Sequence, residues 1–344
     1  MVAAPLATGL AALTLAAASP SAPTPPPRPT PVLTGTERMV PYTRRSSLLA
    51  IAQQYSASPH TLRRINNFDT RGRQARPRRI LVSTRAISPR PFPDGVVINL
   101  PAFRLFQLRK GEVVGSWPVA LGRDFDRAWH NQTRWRTPIG TFRIRAKEWH
   151  PDWIVPKDLQ KELKVPRERV PFGDPEYPLG EAKLVLTAQA INIHGTNSPR
   201  SIGRLASHGC IRMWNKAITD LYRQVRVGTP VALVYAPVQV VEQDGRVWLE
   251  VNRDVYGLAG DLHDRARTVI QGAGLAGRVD PYLVAKTVTG APGIAVDVTA
   301  TVTIAPTPRP SPPAPRPAAP VSEPATSPGR PATGSVQFRE SPAP

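Results

Sequence analysis

With a single cysteine in 344 residues, this chain has no means of forming an intrachain disulfide, so Cys210 is free, bridged to another chain, or committed to chemistry. Acidic residues are also scarce: 25 Asp and Glu face 45 Lys and Arg, a formal charge of +20 that implies an anionic environment or partner. Aromatic residues contribute only 6% of the chain, and the arginines are scattered from end to end rather than gathered beside stacking rings. Zinc-finger spacing, an RNA-binding aromatic signature and a phosphate loop are all missing, which argues against nucleic acid as the partner. His60, His130, His150 and His263 show no metal-ligand spacing, so neither a metal nor another cofactor is expected. Proline interrupts the one apolar run, Met1 to Ala18, before about twenty apolar residues accumulate, which disfavours a spanning helix.

Proline itself is abundant, with 41 residues, about half of which pile up between Pro20 and Pro31 and again from Pro306 to Pro344. Both stretches read as extended linker or tail without a core. Residues 1–36 are therefore expected to be a leader-like segment plus disordered linker, and residues 301–344 a disordered tail. The small-residue apolar start resembles a secretory leader but lacks a basic n-region, its first basic residue being Arg28, so a leader and an alanine-rich disordered tail both stand. Such a leader is the only membrane contact the sequence suggests.

Between these ends lie three units, 37–86, 95–237 and 238–300. In the first, a short strand at Met39 to Thr43 precedes a helix whose Leu48, Ile51, Ala52 and Tyr55 share one face. Ser58-Pro59 opens a second helix, Asn66-Asn67 stops it, and Arg79 to Ser83 closes a strand–helix–helix–strand module with its own miniature core. The second unit begins as a β-meander: Val96–Leu100, Phe103–Leu108 and a strand from Val113, with a tight turn at Lys110-Gly111-Glu112. The pattern T-P-I-G-T-F follows from Thr137. A helix after Cys210, carrying Trp214, Ile218, Leu221, Tyr222 and Val225 on one stripe with Asn215 placed to cap it, ends at a strand from Val227. The third unit offers a hairpin at Asp244-Gly245 and an amphipathic segment near Leu262 to Ile270. The whole is mostly β with short helices, an α+β chain.

The chemistry concentrates in Ile193 to Met213, where Cys210 stands with His194 and His208 among glycines and hydroxyl residues. A thiol with a pKa of about 8.5 is mostly protonated near neutrality, and a histidine within reach can accept its proton. In I-N-I-H, Ile191 and Ile193 share one strand face, so Asn192 and His194 point to the other. Gly209 removes a side chain where a substrate backbone must approach, and the amides of Gly209 and Cys210 are candidates for an oxyanion site. A buried inert cysteine is the plain alternative, but it has no need of the preceding His-Gly pair. His208 is open between proton transfer and loop support. Trp149 and Trp153 suit either a cleft cover or core packing.

The pattern H-G-T-N followed by S-H-G-C-I-R-M, with T-P-I-G-T-F, Y-P-L-G at Tyr177 and S-I-G-R at Ser201, resembles the L,D-transpeptidase catalytic domain of YkuD type. The first module resembles a LysM domain in S-L-L-A-I-A-Q-Q-Y and L-R-R-I-N. Its first turn reads Arg44-Arg45-Ser46 where that family commonly has Gly-Asp, so a glycan-binding and a positioning module are both open. The resemblance implies a β-sandwich catalytic domain behind a small βααβ module, in the manner of periplasmic Gram-negative members.

Carried onto this sequence, the resemblance makes Cys210 the nucleophile and His194 its base, with the Gly195 carbonyl orienting the ring. His208, Gly209 and Cys210 line an oxyanion pocket. Ser207, Arg212, Thr196 and Asn197 fall on the substrate side, Ser207 fixing the loop and Arg212 holding a carboxylate. The implied reaction is cofactor-free acyl transfer on peptidoglycan stem peptides outside the cytoplasm. A diaminopimelate amine or a lysine of an outer-membrane protein accepts the acyl group, and the glycan strands are a further partner. Two other readings remain: a hydrolase of the same family, and a wall-bound protein with an idle catalytic loop.

Overall fold

A computed structural model describes residues 30–68, 77–124, 135–160 and 167–301. The apolar start, most of the first proline-rich stretch, the tail and His130 lie outside these residues.

The central feature is an eight-stranded sheet that turns on one long strand, Gly140–Trp149. The first residues of that strand pair antiparallel with Pro230–Val234, which continues through the parallel Gly95–Asn99 to the meander Arg104–Arg109 and Glu112–Pro118. Its later residues pair with Ala182–Leu186, which leads through Asn192–His194 to the short edge strand Ile211–Arg212. One strand thus belongs to two neighbourhoods, and a register shift at Val185/Leu186 marks the curl on the second side. The predicted turn is present but one residue shorter: Lys110 and Gly111 are at positive φ, 51° and 80°, as a two-residue hairpin turn requires, and Glu112 already pairs with Arg109.

Buried residues from both halves, among them Ile98, Leu105, Ile144, Leu184, Ile193 and Leu233, form one contiguous core. The Asn215–Gln224 helix covers that core with Ala217, Ile218 and Leu221. Burying the Ile218 and Leu221 side chains is worth about 1.5–3 kcal/mol each. Sequence placed Asn215 as the helix cap, but the cap is Trp214, without a side-chain capping bond. The Asn215 amide oxygen instead accepts the Thr196 N–H at 2.9 Å, a bond across the chain that competes successfully with the local one.

The N-terminal module pairs Glu37–Pro41 with Arg79–Ser83 around two short helices, Leu48–Gln54 and Pro59–Ile65, capped by Ser47 and Ser58. Asn66 ties the second helix to the closing strand, donating to Leu62 O and Leu81 O and accepting from Leu81 N–H. The expected self-contained core is replaced by a shared one. Val40, Ala52, Leu62, Ile80 and Val82 belong to the same cluster as the large sheet, because four short elements cannot enclose enough apolar area alone.

After Pro237 the hairpin Val238–Gln243 and Arg246–Val251 turns at Asp244-Gly245, both at positive φ as expected, and takes Ala295–Asp297 as a third strand. Helices Leu262–Gly272 and Pro281–Gly290, capped by Asp261 and Asp280, cover it and complete a separate core. This C-terminal layer is tied to the N-terminal one. Gln239 donates to Ile87 O at 2.7 Å, Ile87 N–H donates to the buried Glu250 carboxylate, and Arg64 donates to Ala291 O at 2.7 Å.

Candidate active site

Cys210 occupies the turn that joins Leu205–Ser207 to Ile211–Arg212, directly beside the end of the Asn192–His194 strand. Parallel pairing sets Ile193 opposite Ile211 and His194 opposite Arg212. The cysteine and the histidine, sixteen positions apart in sequence, thereby line the same cavity of about 1020 Å³. The thiol is half-buried, within hydrogen-bond reach of Ala190 O at 3.5 Å and of the Asn192 amide at 3.9 Å. Asn192 precedes His194 by two and therefore shares its strand face.

His194 is buried, and its Nδ1 donates to the Gly195 carbonyl at 2.7 Å. That bond fixes the tautomer, since a carbonyl can only accept, and leaves Nε2 as the basic nitrogen. Burial, then the Arg212 guanidinium, push the ring down to about 4, with Lys183 adding to the effect against the Gly195 carbonyl. Burial also pushes the Cys210 thiol up, against the opposing pull of its Asn192 hydrogen bonds and of Arg212 and Lys183. Both shifts favour the uncharged forms, a thiol and an imidazole on one cavity.

His208 also faces the cavity, but its Nε2 accepts from Arg123 at 3.0 Å and its ring meets Trp135 edge-on at 4.1 Å. Burial, then Arg123 and Arg212, push it down to about 4. Its basic nitrogen is thus engaged by a guanidinium, an arrangement suited to holding the wall in place. Ser207 lines the cavity as well, yet its hydroxyl donates to Cys210 O at 2.5 Å and so braces the turn. Gly209 sits at φ +108°, a conformation that a side chain would strain, and a Cβ there would approach Ile191 at 3.0 Å. Gly195 is closed in differently: a Cβ would meet Asn215 Oδ1 at 2.4 Å and Gly180 Cα at 2.9 Å. The Y-P-L-G segment and the histidine strand therefore touch backbone to backbone.

Thr196 and Asn197 do not line the cavity. Thr196 is buried with its hydroxyl accepting the Ser198 N–H at 3.0 Å, and Asn197 is exposed outside it. Both continue past the histidine in the direction that the strand carries them, away from the sulfur. Trp153 lines the cavity, whereas Trp149 lies outside it, stacked loosely on Tyr222 and His150.

Among the described residues, four cations, Arg123, Arg145, Lys183 and Arg212, line the cavity with one carboxylate, Glu148, which pairs with Lys183 at 2.7 Å. The Nε groups of Arg123 and Arg212 are buried without a hydrogen-bond partner among the described residues, a costly state. Sequence reasoning named Arg212 but not Arg123, Lys183 or Asn192. Asn192 carried a period-two signal, while Lys183 faces His194 only through strand register. Among the described residues, no group of three or more His, Cys, Asp or Glu is placed to hold a metal, and no helix is long and apolar enough to cross a membrane.

Residues 93–233 match the model of the L,D-transpeptidase catalytic domain, YkuD. The chain is 31% identical over 177 residues to the probable L,D-transpeptidase YbiS of Escherichia coli (strain K12), covering 50% of this chain and 55% of that protein. It is 30% identical over 145 residues to the putative L,D-transpeptidase YkuD of Bacillus subtilis (strain 168), covering 42% of this chain and 68% of that one. Among solved structures, the catalytic domain of the Enterococcus faecium L,D-transpeptidase aligns at a TM-score of 0.32 with 20% identity, over 42% of this chain and 98% of that domain. The chain spans about half the length of YbiS.

Proposed function

This chain belongs to the L,D-transpeptidase family of YkuD type, and from that premise we propose that it is an extracytoplasmic peptidoglycan L,D-transpeptidase working through a Cys210 thioester. The observation that carries the reading is a thiol and a tautomer-fixed imidazole opening on one cationic cavity.

In the first step, Cys210 Sγ adds to the carbonyl of the diaminopimelate L-centre in a tetrapeptide stem while His194 Nε2 takes the thiol proton. The amides of Gly209 and Cys210 receive the negative charge that develops on the carbonyl oxygen. Collapse breaks the C–N bond, His194 returns the proton to the departing D-alanine amine, and a thioester remains. In the second step an amine attacks the thioester and His194 takes the proton from the amine; the C–S bond then breaks and His194 passes that proton to the sulfur, which restores the thiol. The thioester conserves much of the energy of the broken peptide bond, so neither ATP nor a cofactor is required. The Arg123 and Arg212 guanidiniums suit a donor that carries carboxylates. The acceptor is a second stem, giving a 3→3 cross-link, or a protein lysine, giving a tether. The N-terminal module is read as a LysM-like domain that keeps the enzyme on its glycan.

Mass spectrometry after incubation with a carbapenem tests the mechanism: a covalent adduct on Cys210 is expected in the wild type and a strongly slowed one in His194→Ala. Purified protein mixed with tetrapeptide muropeptides is expected to yield dimers. Tripeptide monomers alone would replace this reading with the hydrolase, and no adduct and no turnover would leave only wall binding.

A further inference from the structure

The C-terminal layer sends one side chain into the back of the cysteine turn. Asp254 organises the loop after the hairpin, accepting the N–H groups of Leu258 and Ala259 at 2.9 Å each and the hydroxyl of Tyr235. The Tyr235 oxygen in turn accepts the Tyr256 N–H at 2.8 Å. So held, Tyr256 is only 2% exposed, and its ring lies near that of Tyr235 on one side and the Arg136 guanidinium on another. Its hydroxyl donates to Gly122 O at 2.7 Å and accepts the Thr137 N–H at 3.2 Å. The Thr137 hydroxyl accepts the Gly122 N–H at 2.9 Å and donates to Gly209 O at 2.9 Å.

The last of these bonds bears on catalysis. The Gly209 carbonyl and the Cys210 N–H belong to one planar trans peptide group, so they point in opposite directions. Fixing the carbonyl against Thr137 fixes the direction of the amide that faces the incoming oxyanion. Gly209, with no Cβ and a φ of +108°, has no steric preference of its own that would hold this plane.

We propose that Tyr256 is a positioning residue for the oxyanion site: through Thr137 it sets the plane of the Gly209–Cys210 peptide, making the C-terminal layer part of the catalytic apparatus. The proposal rests on the thioester reading above. It predicts a defect confined to chemistry that passes through a tetrahedral oxyanion.

Two reagents separate that defect from general loosening. A carbapenem is attacked at its lactam carbonyl: the S–C bond forms, the ring C–N bond breaks, and the ring nitrogen takes a proton. Iodoacetamide is attacked at a saturated carbon with loss of iodide, and no oxyanion forms. In Tyr256→Phe, carbapenem acylation should slow by about 10- to 100-fold while alkylation of Cys210 stays within about twofold, the range expected when one oxyanion donor is misdirected. Thr137→Val should reproduce the split, and Thr137→Ser, which keeps the hydroxyl, should restore the wild-type ratio. Circular dichroism of each variant reports folding. If acylation and alkylation fall together, Tyr256 serves the fold alone and the proposal is wrong. If Tyr256→Phe is acylated as fast as wild type, the proposal fails while the thioester reading survives. A wild type that is alkylated but never acylated removes both.

Discussion

Protonation of His194 should cost the native protein stability in a defined pH window. The buried native ring takes its proton only near pH 4, held down first by burial and then by Arg212, whereas the unfolded ring takes it near 6.5. As pH falls, the unfolded state therefore binds the proton first. The stabilisation from keeping this ring neutral is complete above about pH 6.5 and is lost as pH falls toward 4, amounting to about 3 kcal/mol. Urea denaturation of wild type and His194→Gln at a series of pH values isolates the effect, because His208 and the carboxylates are common to both proteins. The stability difference between the two should shift against the wild type by about 3 kcal/mol between pH 7.5 and 4. Parallel curves would refute the buried neutral imidazole. The same state predicts a carbapenem acylation rate that is level from about pH 5 to 8, since the base is already deprotonated across that range. A midpoint near 6.5 would point instead to an ordinary, solvated ring.

Two further substitutions probe the surroundings of the sulfur. Arg212→Gln removes the second-largest cause of the low His194 value and one of the charges that favour the Cys210 anion. The imidazole titration followed by NMR should move up, and iodoacetamide alkylation at pH 8 should slow. No change in either would show that Arg212 is screened from both groups. Gly122→Ala tests the packing behind the turn, because a Cβ there would sit 1.8 Å from Trp135 O and 2.7 Å from Gly209 Cα. Both contacts are backbone, so the strand must move. A loss of at least about 1–3 kcal/mol is expected in thermal denaturation, and an unchanged midpoint would contradict the close approach.

Much of the local structure was legible because its causes are local. Ser58-Pro59 starts a helix, Asp244-Gly245 and Lys110-Gly111 make two-residue turns, and alternation in I-N-I-H puts Asn192 and His194 on one face. Each follows from a dihedral preference or a period within a few residues. Asn215 was misread for the complementary reason. Its capping potential was real, but the Thr196 N–H, nineteen positions away, offered a partner that no window on the sequence displays. Thr196 and Asn197, expected on the substrate side, lie outside the lining of the cavity, since a motif gives adjacency in sequence and not the direction in which the chain leaves the cavity.

The sequence alone determined the candidate groups and the turn that carries them: one cysteine, a glycine before it, and a histidine at the end of an alternating strand. These are properties of residue type and short spacing. Tertiary structure decided their protonation and their support. Burial and the cross-strand charges of Arg212 and Lys183 keep His194 neutral, and a tyrosine from the C-terminal layer holds Thr137, whose hydroxyl bonds the Gly209 carbonyl. Desolvation and long-range hydrogen bonds depend on which distant segments meet, and strand register and packing, rather than sequence proximity, make that choice.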